Sequence, residues 1–393
     1  MNPLYIQHYT ATSCLGTGVA AHDEAFRRYQ SGLTQNDFPG CGIQTWIGRI
    51  PDQEIRALPE HLSHFDGRNN RLAWTGLQAD GFAERVRLAV EGIPAQRVGL
   101  ILGTSTSSIG ETEHAYACLD DDGQFQSGYI KPRVHNPHSP SDFVAEALGI
   151  SGPAMTISTA CSSSAKVFAS AARWMELGLV DAVLVGGVDS LCLSVLYGFH
   201  SLQLVSPSPC RPFDADRSGI NIGEAAGFAL LTRKEGERGL PRLLGFGESS
   251  DAFHMSSPHP EGLGATLAAR AALELAGISA DSIDYVNLHG TGTRHNDSIE
   301  GKAMSKLFPK GVYASSTKGW TGHTLGAAGI LEAVICLNAM QAGFVPGTIN
   351  TRNLDPDCEF RVITDNLQVC AKTVMSNSYG FGGNNCSLIF ASP

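Results

Sequence analysis

The stretch ISTACSSSAKVFASAARWMELG, residues 157–178, sets the reading of this chain. A β-rich run, Ala154–Ser158, enters a turn of small polar residues. An Ala-rich stretch from about Ser162 to Leu177 then reads as a helix. The same order returns in SSTKGWTGHTLGAAGILEAVICLNAMQAG, residues 315–343. There Val312–Ser316 reads as a strand, the turn carries Lys318 and His323, and Leu325–Ala342 reads as a buried helix. Two such units point to an internal duplication. Val98–Leu102, Asp181–Gly187 and Tyr285–Leu288 read as further buried strands. Strands this apolar, alternating with helices, predict an α/β fold with parallel sheets covered on both faces. The join is expected near residues 240–250, after the charged stretch Arg233–Gly239, which gives halves 1–245 and 246–393.

Composition narrows the class. The 393 residues are 42% hydrophobic and 17% charged, which describes a large globular core. The net charge of −10, with no basic run interleaved with aromatics, speaks against nucleic acid as a partner. Ten cysteines are scattered without a CxxC pair or metal-ligand spacing, so no metal site is expected and the thiols fit a reducing cytosol. No apolar run approaches the ~20 residues of a membrane span, and the N-terminal segment lacks a leader pattern. The expectation is a soluble cytoplasmic protein.

Some residues stand out chemically. Cys161 lies where a strand turns into a helix. A helix N-terminus there would lower the thiol pKa and offer backbone donors to an oxyanion. His289 sits in Leu288-His-Gly-Thr-Gly-Thr293, straight after a strand, and His323 at the entry of an apolar helix. Lys318 precedes that helix, and Glu332 is a carboxylate among Leu331, Ala333, Val334 and Ile335. Each also has a plain alternative: a core thiol, a histidine satisfied in a turn, an exposed helical carboxylate.

The combination resembles the β-ketoacyl synthase family of the thiolase superfamily. The matching stretches are Ser158–Ser164, Arg211–Asp214, Ser249–Met255, His289–Thr293, Ser316–His323 and Asn377–Gly383, in the family's order. The resemblance implies a thiolase-like, duplicated five-layer αβαβα fold. The N-terminal half would carry the nucleophilic Cys and the C-terminal half both catalytic His. The activity implied is decarboxylative condensation of an acyl-Cys enzyme with a malonyl thioester. It makes Cys161 the acyl-accepting nucleophile and His289 and His323 the pair that supports decarboxylation. Lys318 and Glu332 become an ion pair expected behind His323. Thr291 and Thr293 would hold the pantetheine arm, and Phe381 would be a gate whose N–H joins that of Cys161 in an oxyanion hole. Asp297 and Glu300 fall at the family's acidic positions. Arg68 and Arg71 resemble carrier-docking positions, while Ser107, Ser108, Ile109 and Phe199 would line the acyl tunnel, with the turn Thr104–Gly110 at a dimer seam.

No cofactor is implied, since substrates would ride on the phosphopantetheine of a separate acyl carrier protein. The implied assembly is a homodimer, or a heterodimer with a ketosynthase-like chain length factor. Ser162–Ser164 and Thr291–Thr293 look more like polyketide-type ketosynthases than housekeeping fatty-acid ones, and Gly67–Arg71 and Leu102–Ser107 look like the small free-standing synthases that build aryl polyene pigments. Departures from the pattern are Arg294-His-Asn-Asp297, Arg217-Ser-Gly-Ile-Asn221 and Tyr379 in place of the commoner Phe. Alternative readings are an inactive chain-length-factor-like subunit, a Cys/His hydrolase, or a thiolase. A thiolase would need a second catalytic Cys near the Tyr379–Gly383 loop, where only Cys386 follows.

Overall fold

Ten strands carry the architecture. They are β1 (Leu4–Ser13), β2 (Val98–Gly103), β3 (Ala154–Ile157), β4 (Ala182–Asp189), β5 (Ala225–Thr232), β6 (Arg242–Ser250), β7 (Tyr285–Asn287), β8 (Tyr313–Ser315), β9 (Thr373–Gly380) and β10 (Asn384–Ala391). The computed structural model describes residues 2–233, 239–358 and 360–393. Most of the charged stretch expected to mark the join, 234–238, therefore lies outside the described residues.

The strands run in the order β8-β7-β9-β10-β6-β1-β5-β4-β2-β3. Each half has the same internal order: third, second, fourth, fifth and first strand, counted along its own sequence. The directions repeat too. β3, β2 and β4 are parallel to one another, as are β8, β7 and β9. The remaining two strands of each half pair antiparallel. The sheet is thus mixed, which corrects the expectation of parallel sheets. The runs that the sequence displays, β2, β3, β4, β7 and β8, are among the parallel ones, whereas β5 and β10, also buried along their length, pair antiparallel. The two half-sheets pair edge to edge at Leu4↔Leu243 and Tyr5↔Arg242.

Side-chain alternation along the strands then builds five layers. Along the chain, the helices of these layers are interspersed with α2 (Ile109–Ala117), α5 (Leu193–Ser201) and α8 (Lys318–Thr321). Val183 and Val185 of β4 face inward onto α4 (Ser163–Glu176) and α9 (Ala328–Ala342), as do Val374 of β9 and Leu388 of β10. Leu184 and Val188 face outward, onto α1 (Arg68–Gln78) and α3 (Ser139–Leu148). On the other outer face, Val286, Met375 and Ile389 pack on α6 (Leu263–Ala276) and α7 (Arg294–Leu307). Leu325–Ala342, a 3₁₀ turn followed by α9, is apolar enough over 18 residues to pass as a membrane span by length and composition. Its place between the two half-sheets, 89% buried, makes it a core helix.

Candidate active site

Cys161 leaves the C-terminal end of β3 one residue before Ser162, the N-cap of α4. The turn is tight. Ala160 holds a left-handed φ of 52°, and Ser163 Oγ accepts the Thr159 N–H at 2.8 Å while donating to Ala160 O at 2.6 Å. Small residues are required around it. A Cβ on Gly103 would meet the Ser164 nitrogen at 2.4 Å, and one on Gly380 would meet Thr159 O at 2.6 Å. The expected low thiol pKa is not found. Burial pushes Cys161 up to about 11, with Glu332 and Asp189 adding, while Lys318 and the backbone N–H of Phe381 oppose it. Desolvation of the thiolate outweighs the helix terminus.

β7 and β8 are parallel neighbours in register Asn287↔Ser315. Segments leaving their C-terminal ends therefore emerge side by side, and they carry His289 and Lys318. Together with Cys161 and His323, one donor atom each of Cys161, His289 and His323 lies within 4.8 Å of the others. The two imidazole centroids are 5.4 Å apart at 84°.

Lys318 Nζ sits in a closed set of acceptors: Glu332 Oε1 at 2.5 Å, His289 O at 2.6 Å and His289 Nδ1 at 3.3 Å. The pair therefore stands behind His289, not behind His323 as expected. His323 is held instead by the Leu325 N–H, which donates to its Nδ1 at 3.2 Å. Burial and Lys318 hold both imidazoles well below their usual pKa, with His323 adding to the effect on His289. Both rings are neutral, and both Nδ1 atoms accept a hydrogen bond. Each ring's proton is thereby left on Nε2. A metal would need lone pairs where these protons sit, and Lys318 adds a cation at the back of the site. The donor set does not fit a metal.

Two carboxylates of α7 brace the His289 loop. Glu300 accepts the His289 and Gly290 N–H groups at 2.8 Å each. Asp297 accepts from Thr291 at 2.9 Å and from Phe213 at 2.8 Å. Sequence reasoning missed Asp189, at the end of β4. It accepts from Thr104 Oγ1 at 2.7 Å, Ser105 N–H at 2.7 Å and Gly326 N–H at 2.6 Å. It so ties the turn after β2 to the His323 loop. The signal was a lone carboxylate ending an otherwise apolar strand.

A cavity of about 380 Å³ opens over Cys161, His289 and His323, and Thr291, Thr293 and Phe381 line it. Phe199 also lines it, with its ring centroid 5.6 Å from that of Phe381. Ser107, Ser108 and Ile109 do not line this cavity. Ser107 donates to Asn136 O at 3.0 Å, Ser108 is buried at the start of the helix Ile109–Ala117, and Ile109 is exposed. Arg68 is not a free docking cation either. It binds the fully buried Glu224 at 2.5 Å and Asp52 at 2.5 Å, whereas Arg71, more exposed, pairs with Asp66. Cys386 lies in the central core, away from the cavity.

Two family models match the chain: the Beta-ketoacyl synthase N-terminal domain over residues 71–236 and its C-terminal domain over 240–352. Nodulation protein E of Rhizobium meliloti (strain 1021) is 35% identical over 87% of this chain and 88% of its own length. The mitochondrial 3-oxoacyl-[acyl-carrier-protein] synthase of Arabidopsis thaliana is 36% identical over 78% of this chain and 70% of its own. Among solved structures, the ketosynthase ApeO of Xenorhabdus doucetiae, in complex with its chain length factor ApeC, superposes with a TM-score of 0.89. It is 38% identical over 100% of this chain and 98% of that one.

Proposed function

Because this chain belongs to the β-ketoacyl synthase family, we propose that it condenses an acyl group on Cys161 with a malonyl-carrier thioester to give a 3-oxoacyl-carrier product. The supporting observation is the pair of neutral imidazoles with occupied Nδ1 atoms beside a buried thiol.

In the first half-reaction the Cys161 sulfur attacks the acyl thioester, and its proton ends on the departing carrier thiol. In the second, the malonyl C–C bond breaks, CO2 leaves, and the electron pair moves onto the thioester oxygen as an enolate. Two Nε2–H donors, from His289 and His323, stabilise that oxygen without supplying a competing acid. The enolate carbon attacks the acyl-Cys161 carbonyl, whose oxyanion rests on the Cys161 and Phe381 N–H groups. Collapse releases the Cys161 thiolate, which takes a proton from solvent. The residues supply all of this chemistry without a cofactor of the protein's own.

Within the same proposal, Thr291 and Thr293 hold the pantetheine arm and Phe381, its ring tilted 36° to that of Phe199, gates the cavity. Arg71 contributes to carrier docking, and Arg68 positions Glu224. The nucleophile and the histidines fall in separate halves, and the repeated strand order supports a division between β5 and β6, ahead of the 245/246 join, which would cut β6. The protein works in the cytoplasm, in a polyene or polyketide type of pathway, paired with a chain length factor; the likeness to ApeO with ApeC favours this over a housekeeping role.

Incubating the chain with a panel of acyl-carrier thioesters should add the acyl mass at Cys161, and malonyl-carrier should then be consumed with CO2 release. Cys161→Ala should keep the fold and take no acyl mass. If that variant still elongates acyl chains, Cys161 is not the nucleophile.

A further inference from the structure

Tyr379 ends β9 beside the gate loop, where the resembled family more often carries Phe. Its ring lines the Cys161 cavity with its centroid 5.6 Å from that of His289. Its hydroxyl is buried and has no hydrogen-bond partner among the described residues. Phe would fill the same space without leaving a buried donor unsatisfied. The hydroxyl therefore asks for an acceptor.

A second, much smaller void adjoins the cavity. It measures about 10 Å³, and Tyr379, Glu300, Asp251, Asn296 and Asn385 supply its polar walls. That is space on the order of one water molecule, with the two to four polar neighbours such a water needs. Each Glu300 oxygen already accepts one backbone N–H, from His289 and Gly290 respectively, and keeps a further lone pair. Asp251 and Asn385 are bonded to each other at 3.3 Å.

We propose that Tyr379 is a positioning residue: its O–H holds one water in this void, and that water donates to the Glu300 carboxylate that braces the His289 loop. The inference rests on the condensing function proposed above and deepens it.

The consequence is a pH dependence. Burial pushes Glu300 up to about 8, with Asp297 of the same helix adding and Lys318 and the two backbone N–H groups opposing. Asp251 and Glu300 are the carboxylates that face Tyr379. Neutral His289 completes the surroundings. Protonation turns one Glu300 oxygen into a hydroxyl and removes the charge that strengthens both hydrogen bonds, so the brace on the His289 loop weakens as pH falls. A water donating to the ionised carboxylate favours that form and moves the loss to lower pH. Without the hydroxyl the carboxylate protonates at higher pH.

The test is the pH profile of CO2 release from malonyl-carrier, beside the rate of Cys161 acylation. In Tyr379→Phe the acid limb of CO2 release should move up by on the order of one pH unit, with acylation slowed less. In a Glu300→Gln background the same substitution should move nothing further. An unchanged acid limb in Tyr379→Phe overturns the inference. So does an equal shift in the Glu300→Gln background, because the hydroxyl would then act on another group. Wild-type protein that releases no CO2 at any pH sinks the condensing function, and this inference with it.

Discussion

Lys318 is the residue on which the site's protonation pattern turns. Its ammonium has three acceptors in reach, and one of them, His289 Nδ1, fixes which nitrogen of that ring faces the substrate. Lys318→Met should therefore free the imidazole to flip its tautomer. CO2 release should fall by about a hundredfold, the usual loss for one oxyanion donor, and Cys161 acylation by much less. The substitution also strands Glu332 as a buried, unpaired carboxylate, at a cost of about 3–5 kcal/mol. Adding Glu332→Gln should restore the urea midpoint while leaving CO2 release low. If the double variant recovers both, Lys318 serves stability alone. The pairing itself came from the family resemblance; the residues alone left Glu332 either an exposed helical carboxylate or a buried partner for a Lys or His. Its placement behind His289 was not legible in the sequence, because that depends on β7 and β8 lying side by side in register.

At the scale of elements, the central layer depends on close contact between two helices. A Cβ on Gly329 of α9 would stand 2.5 Å from the Ala165 nitrogen of α4, and the Ile330 N–H donates to Ser164 Oγ at 2.9 Å. The helix carrying the nucleophile thus leans on the helix that follows His323. Gly329→Val would force backbone apart, and overpacking of this kind costs about 1–3 kcal/mol or more. The expected result is a lower urea midpoint together with slower acylation, because the Cys161 turn moves with α4. An unchanged midpoint would mean that the helices do not meet at this distance.

Both of these Ala-rich helices were readable from the stretches 157–178 and 315–343, since small residues at the contact are what the sequence displays. β6 was less so. Its Gly245 and Gly247 weaken the strand pattern, yet each is where a helix backbone presses on the sheet. Cβ atoms there would stand 2.4 Å from Ala272 O and 1.9 Å from Ala268 O. A glycine that marks close packing looks, in one dimension, like a turn.

At the scale of the whole molecule, an exposed apolar stretch follows the turn Thr104–Gly110. Tyr116, Phe125 and Ile130 are 63%, 43% and 58% exposed, and Tyr116 and Phe125 pack on each other with ring centroids 5.0 Å apart. They follow in sequence on the turn Thr104–Gly110, expected at a subunit seam, and Ile109 of that turn is also exposed. An exposed pair of packed aromatic rings marks a surface meant to be covered. A seam here would also cover the turn that Asp189 ties to the His323 loop, so pairing and active-site geometry would be linked. Expressed alone, the chain should self-associate. Co-expressed with a chain-length-factor homologue, it should elute as a one-to-one pair of fixed mass by light scattering. Tyr116→Glu combined with Ile130→Glu should break that pair and lower elongation, with Cys161 acylation by a small thioester mimic affected far less. A monodisperse monomer that elongates at the full rate, or a pair indifferent to both substitutions, would place the seam elsewhere.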